Sequence, residues 1–189
     1  MEKDFLELIN LSEKMRPSYK ESLGPKTEEW EEIVKKLGPS VPPVYSLIYS
    51  QVSGTKRSIE DQMLMDFIPG YRLIHIAELI EEKANLQHVL VPEELPEGAE
   101  LYPLLANYSS DFICIVRYAD GDEKIGLVTN LEGIPEILHN SPESFFKTHC
   151  EMYRQEVYFA DTDGFLHLDW DKKNLVGAKC NPGISYWEE

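Results

Sequence analysis

Apolar residues at the start of the chain recur at the spacing of an α-helix. Arg16-Pro17 would end this helix, because proline disrupts a continuing helical turn. A polar linker is expected from there to Pro25. The residues that share the apolar face are Phe5, Leu8, Ile9 and Met15. The pattern therefore predicts a short N-terminal helix and a linker over residues 1–26, before the main body of the chain.

A second helical pattern follows Thr27, a suitable N-cap with two glutamates behind it in the first turn. Gly38-Pro39 would end that helix. Its apolar face consists of Trp30, Ile33, Val34 and Leu37. We expect this face to be buried against a sheet, with Trp30 as a residue of the core.

A third apolar stripe begins after Pro42 and Pro43, either of which suits the first turn of a helix. The stripe runs up to Gly54 through Val44, Leu47, Ile48 and Val52. Beyond it, the pattern predicts a polar loop over residues 55–66 and a strand over residues 71–74. A helix follows over residues 77–86, with Leu79 and Ile80 facing inward, and then a surface linker over residues 92–98.

Past this linker the hydrophobic period changes from 3.6 residues to 2, which is typical of strands. Three strands are predicted, over residues 102–108, 112–118 and 124–129. Ala119-Asp120-Gly121-Asp122 would form the turn between the last two, because Asp-Gly tolerates the positive φ of a tight hairpin.

Ser141-Pro142-Glu143 has the composition of a helix N-terminus, and a predicted helix carries Phe145, Phe146, His149, Cys150 and Tyr153. A last hairpin is expected from strands at residues 157–160 and 165–170, with Trp170 in the core. Asp161-Thr162-Asp163-Gly164 would be its turn. Helices followed by an antiparallel block and one more helix indicate an α+β fold, not a parallel doubly wound sheet.

Charge is distributed unevenly along the 189 residues. The chain has 34 acidic and 18 basic residues, a formal net charge of −16. Residues 91–171 alone contain 17 acidic and 4 basic residues. A field of this sign repels nucleic acid and anionic lipid, so we expect neither as a direct partner. It attracts a basic protein, although an acidic surface also serves solubility alone.

The cysteines and the N-terminus favour a cytoplasmic protein. Cys114, Cys150 and Cys180 are odd in number and widely spaced, which indicates neither a disulfide framework nor a zinc ribbon. Met1-Glu2-Lys3-Asp4 lacks the basic start of a signal peptide. The longest strongly apolar run, at residues 112–116, is too short to cross a bilayer.

Motifs for catalysis are not evident. The five histidines form no metal-binding pattern, and His149 and Cys150, adjacent in a helix, would point in different directions. The turn at Asp161 and Asp163 is too short for a calcium loop and is explained by hairpin geometry. Glycine patterns of nucleotide sites do not occur. We therefore expect no catalytic residue, metal or cofactor; a hydrolase that uses Asp161, Asp163 and His167 is the enzyme alternative.

An ordered set of short features resembles the SUKH superfamily, which includes fungal Smi/Knr-type cell-wall regulators and bacterial immunity proteins. The amphipathic helix with Trp30 leads into Val41-Pro42-Pro43-Val44-Tyr45 and on to Gly54. Gly70-Tyr71-Arg72-Leu73-Ile74 and a helix come next. Paired strands at residues 112–114 and 126–128 and a closing helix with Phe146 complete the set. Ser109-Ser110-Asp111 departs from the glycine-rich turn common at that point. The similarity covers residues 27–152.

The resemblance implies a non-catalytic, SUKH-like domain over residues 27–189, with a mixed, mainly antiparallel sheet packed by helices, an acidic C-terminal hairpin and a short tail. It implies binding to another protein, in bacterial members typically a toxin domain and often a nuclease. A regulatory or scaffold role of the cell-wall type is the alternative. Nucleases hold phosphate and tend to be basic, so an acidic surface suits such a partner. The expected contact residues lie on the two acidic turns, which we expect at one end of the sheet because hairpins of one sheet often open the same way. They are Asp120, Asp122, Glu123, Asp161 and Asp163.

Overall fold

The computed structural model describes residues 1–58 and 61–188. Its helices are α1 (Glu2–Met15), α2 (Tyr19–Ser22), α3 (Trp30–Lys35), α4 (Pro43–Tyr49), α5 (Leu79–Val89), α6 (Pro142–Arg154) and α7 (Trp170–Cys180). Short 3₁₀ turns lie at Gln62–Leu64, Ile76–Glu78, Pro92–Glu94 and Ser185–Trp187. The α+β class predicted from the sequence is confirmed.

Two antiparallel sheets are formed by the described residues. The larger has β1 (Arg72–Leu73), β2 (Glu100–Ala106), β3 (Phe112–Arg117), β4 (Glu123–Val128) and β5 (Pro135–His139), each paired with its neighbour in the chain. The smaller is the hairpin of β6 (Tyr158–Ala160) and β7 (Leu166–Leu168). The larger sheet is antiparallel throughout, so the expected mixture of strand directions is not found.

The core surrounds the central strand β3. Every residue of β3 from Phe112 to Val116 is buried, which requires cover on both faces because side chains alternate along a strand. Helix α6 packs on β4 and β5, and α5 packs on β2. The N-terminal helix belongs to this same core: α1 packs against α6, and Phe5 contacts the rings of Phe67 and Phe146.

Several predicted elements are confirmed. Helix α1 ends at Met15, directly before Arg16-Pro17, and α4 begins at Pro43 with Pro42 as N-cap. The strands β2 to β4, the β3–β4 turn with Gly121 at positive φ, and the β6–β7 hairpin also lie where they were expected. At the start of α6, Ser141 and Ser144 form a reciprocal capping box.

The residues named for the family resemblance have clear structural roles. Tyr45 donates its hydroxyl hydrogen bond to the carbonyl of Pro103, where β2 is irregular and lacks an N–H. Gly54 has φ of 89°, and a Cβ there would lie 2.3 Å from the Ile74 carbonyl oxygen. Only glycine fits this approach. Gly70 also has positive φ, Tyr71 is half-buried and Phe146 is fully buried.

The turn before β3 is built by polar side chains and contains no glycine. Ser110 adopts a positive φ of 61°. The side-chain oxygen of Asn107 accepts hydrogen bonds from the N–H groups of Ser109 and Asp111. Because asparagine side chains can satisfy local backbone donors in this way, the turn forms without glycine.

The expectations for α3 and α5 are partly wrong. Trp30 and Ile33 are only half-buried, and α3 packs against α4 and the Ile76–Glu78 turn instead of a sheet. Thr27 accepts a hydrogen bond from the N–H of Glu29. Because Glu29 itself precedes the first residue of α3, Thr27 does not cap that helix as expected. Ile80 is 44% exposed instead of facing inward. Spacing identifies a helical face but not its packing partner.

Other segments were mistaken or missed. The expected polar linker contains α2, and Tyr19 and Leu23 are buried in the core. Strand β5 and helix α7 were not predicted, and α7 occupies about half of the expected tail. Of the loop predicted over residues 55–66, residues 59–60 lie outside the described residues, as does Glu189 at the end of the expected tail.

Candidate partner-binding surface

The acidic turn of the C-terminal hairpin is ordered by the side chain of Asp161. Its Oδ1 accepts hydrogen bonds from the N–H groups of Asp163 and Phe165, each at 2.9 Å. Its Oδ2 lies 2.9 Å from Nε2 of His167. Slight desolvation opposes ionisation, but these hydrogen bonds together lower the pKa of the Asp161 carboxyl. The turn therefore presents a fixed negative charge.

Large apolar side chains are exposed beside these acids. Phe159 pairs with His167 across the hairpin, and their rings stack at 5.8 Å. Phe165 lies at the turn, and Trp170, at the start of α7, is 71% exposed. Phe159 and Phe165 lie on the hairpin and Trp170 follows its second strand, and exposed aromatic residues of this kind are typical of protein interfaces.

The first turn of α7 adds further acidic groups. Asp169 caps the helix by accepting hydrogen bonds from the N–H groups of Asp171 and Lys172, and it pairs with Lys172 Nζ at 3.2 Å. Asp163 and Asp171 are exposed and form no salt bridge within the described part of the chain. We call this group the C-terminal surface: Phe159, Asp161, Asp163, Phe165, Trp170 and Asp171.

The β3–β4 turn has a different environment. Asp120 accepts a hydrogen bond from the N–H of Asp122, and both side chains are exposed. Glu123 pairs with Arg117 at 3.3 Å, and burial raises the pKa of its carboxyl. Lys124 lies over the ring of Tyr118 at 5.5 Å. Two cations therefore offset part of the acid at this turn.

The structure does not bring the two acidic turns together at one end of one sheet, so that expectation is wrong. The β3–β4 turn belongs to the larger sheet and the Asp161 turn to the smaller one. A Cβ on Gly164 would lie 2.6 Å from Sδ of Met63, and nearby Met65 contacts Tyr108 in the turn before β3. The Asp161 turn thus lies towards the start of β3, whereas the β3–β4 turn follows its end.

The three residues of the enzyme alternative are only partly brought together by the structure. Asp161 and His167 are paired, but Asp163 joins them through its backbone N–H and not through its carboxylate. Among residues 1–58 and 61–188, no group of three or more histidine, cysteine, aspartate or glutamate residues is placed to hold a metal ion. Cys150 directs its thiol to the carbonyl of Asp4, and burial raises its pKa to about 12.

The sequence pattern predicts Trp170 in the core, but Trp170 is exposed. The error follows from the missed helix α7. A signal for that helix was present: Asp169 is a suitable N-cap, and Val176 and Cys180 lie four residues apart behind it. With α7 recognised, Trp170 falls in the first helical turn, next to the acidic cap.

Comparison with known proteins yields no family assignment: no protein-family model matches the chain, and no curated protein matches it significantly. Within the described residues, none of the helices combines the length and the apolar character needed to cross a bilayer.

Proposed function

We propose that this chain is a non-catalytic, SUKH-like protein-binding module, and that it acts in the cytoplasm as an immunity protein against a basic toxin domain, in particular a nuclease. The order of its sequence motifs and its α+β fold support the family resemblance. The C-terminal surface supports binding, because it combines exposed aromatic side chains with acidic groups.

The observation that carries the proposal is Trp170, which is 71% exposed and lies between Asp169 and Asp171 in the chain. Tryptophan is enriched among the residues that dominate binding energy, because it buries a large area on binding. Charges around such a residue set the rate and specificity of association more than the final affinity. Trp170 would occupy an apolar pocket of the partner, with Asp163 and Asp171 facing its cations.

A nuclease fits this surface chemically. An enzyme that holds phosphates must present lysine and arginine side chains, and a carboxylate-rich surface complements the same groups. Phe159 and Phe165 would add apolar contact on the hairpin. The acidic β3–β4 turn, with Asp120, Asp122 and Glu123, would lie outside this contact and contribute little to binding, because Arg117 and Lys124 offset part of its charge.

A regulatory or scaffold protein of the cell-wall type could use the same surface, so the distinction requires a functional assay. The protein encoded by the neighbouring open reading frame should be purified and expressed with this chain. We expect direct binding, and we expect growth to be restored when the neighbouring protein is toxic. A Trp170→Ala/Asp163→Lys double variant should fold normally and lose protection.

An Asp120→Lys/Asp122→Lys variant is the matched control, because it changes exposed acids at the other turn and should keep protection. Binding without any toxicity to neutralise would favour the regulatory alternative. Hydrolysis of a small substrate that Asp161→Asn abolishes would replace the proposal with the enzyme alternative.

A further inference from the structure

A cavity of about 280 Å³ lies between the larger sheet and the C-terminal elements. Ile113 and Leu127 of the sheet, Met152 of α6 and Leu168 of β7 contribute to its mainly apolar lining. An apolar cavity of about 150 Å³ holds benzene, so this one accommodates about ten to twelve non-hydrogen atoms. It is distinct from the outer face of the hairpin with Phe159 and His167.

One wall of the cavity carries a histidine with an unused hydrogen-bonding group. His149 is buried, and its Nδ1 lies 2.6 Å from the hydroxyl of Tyr158. The other ring nitrogen, Nε2, is buried and has no partner in the described part of the chain. This nitrogen is a polar group in the cavity wall that the described residues leave unsatisfied.

The cavity also includes a lysine surrounded by aromatic rings. Lys173 Nζ lies 2.5 Å from the hydroxyl of Tyr186 and 4.3 Å from the centre of its ring. The rings of Trp170 and Trp187 lie 5.0 and 5.4 Å from the same atom. No carboxylate pairs with Lys173 among the described residues, whereas the adjacent Lys172 pairs with Asp169. Among the described residues, the cavity wall therefore holds this ammonium group without a carboxylate partner.

We infer that this cavity binds a small apolar carboxylate of about ten to twelve non-hydrogen atoms, with its carboxylate on Lys173 and its apolar body against Ile113, Leu127 and Met152. The acidic charge elsewhere on the protein does not prevent this. At physiological ionic strength exposed charges are screened beyond about 8 Å, so the adjacent cation decides the local preference.

Sodium decanoate, which has twelve non-hydrogen atoms, is a suitable probe in 0.15 M salt. Calorimetry should show saturable binding of one molecule per chain, with a Kd below about 1 mM. Tryptophan fluorescence should change on binding, because Trp170 and Trp187 line the cavity. 1-Decanol, which has the same chain without the charge, should bind about tenfold more weakly. Absence of saturable decanoate binding would overturn the inference.

Two variants locate the site. Lys173→Met should weaken decanoate binding about tenfold, while Lys172→Met, on the same helix, should leave it unchanged. Leu127→Trp should fill the cavity and abolish binding. If Leu127→Trp does not fold, Lys173→Met still tests the same site, because Lys173 is only half-buried. Equal binding by the two lysine variants would overturn the inference, as would normal binding by folded Leu127→Trp.

Discussion

The two acidic hairpin turns have the same local chemistry and different surroundings. In each, an aspartate side chain accepts a hydrogen bond from the N–H two residues ahead, and a glycine at positive φ completes the turn. The β3–β4 turn is accompanied by Arg117 and Lys124, which offset its acid. The Asp161 turn is accompanied by exposed aromatic residues. Acidic turns are therefore recognisable from sequence, but the charged and aromatic side chains around them are not.

The largest expected effect is the response to acid of the core beneath the C-terminal elements, which the β3–β4 turn does not share. The C-terminal elements pack over His139 and His149, whose rings lie 5.4 Å apart. Burial lowers the pKa of His139 to about 3 and that of His149 well below its usual range, so both are neutral when folded. Because the unfolded chain binds their protons below about pH 6.5, stability is complete above that pH and falls as the pH decreases towards 3.

Urea unfolding at pH 7 and pH 5 tests this. His139 should account for about 2 kcal/mol of the stability lost at pH 5, and His149 should add to the loss in the same direction. His139→Gln should remove its own share of the loss, whereas His88→Gln, at an exposed site, should leave the loss unchanged. An equal pH dependence in the His139→Gln variant and the original protein would contradict the assignment of both histidines as neutral.

The attachment of α7 can be broken by adding one methyl group. Alanine normally stabilises a helix interior relative to glycine by about 1 kcal/mol. A Cβ on Gly177, however, would lie 2.0 Å from Cε3 of Trp187, which is buried and donates a hydrogen bond to the Leu138 carbonyl. Gly177→Ala should therefore destabilise the protein by about 3 kcal/mol in urea unfolding.

Lys179→Ala, exposed on the same helix, should change stability by less than about 0.5 kcal/mol. In a Trp187→Leu background, Gly177→Ala should cost less stability than it does in the original protein, because the ring that the new Cβ would meet is absent. A stabilised Gly177→Ala protein would show that α7 does not pack against Trp187.

A smaller loss of stability is expected when the glycine of either turn is replaced by alanine. Gly121 and Gly164 have φ values of 88° and 91°. A Cβ on Gly121 meets nothing within 4 Å, so Gly121→Ala should cost only the backbone strain of about 1 kcal/mol. Gly164→Ala must also displace Met63 and should cost about 2 kcal/mol. Chemical denaturation would measure both, and a larger effect at Gly121 would contradict this placement of the Asp161 turn against Met63.

The sequence could predict the elements whose patterns are local. The capped start of α6, the Asp-Gly turn at Gly121 and the alternating strands all depend on residues close together in the chain. It could not predict which surfaces meet. Trp30 was expected in the core because its face is apolar, yet the short helix α3 lies against α4. The exposed Trp170 and the cavity around His149 and Lys173 depend on the packing of α7, which no short motif specifies.

We propose that the C-terminal surface, and not the β3–β4 turn, forms the contact with a basic protein partner. The most direct measurement is the binding kinetics of the purified neighbouring-gene product at several salt concentrations. Trp170→Ala should accelerate dissociation about 30-fold, the effect of losing about 2 kcal/mol at an interface centre. Asp163→Lys should slow association and flatten its salt dependence, while Asp122→Lys should change both rates less than about twofold. An unchanged dissociation rate for Trp170→Ala, or equal effects of the two charge reversals, would show that the C-terminal surface is not the contact.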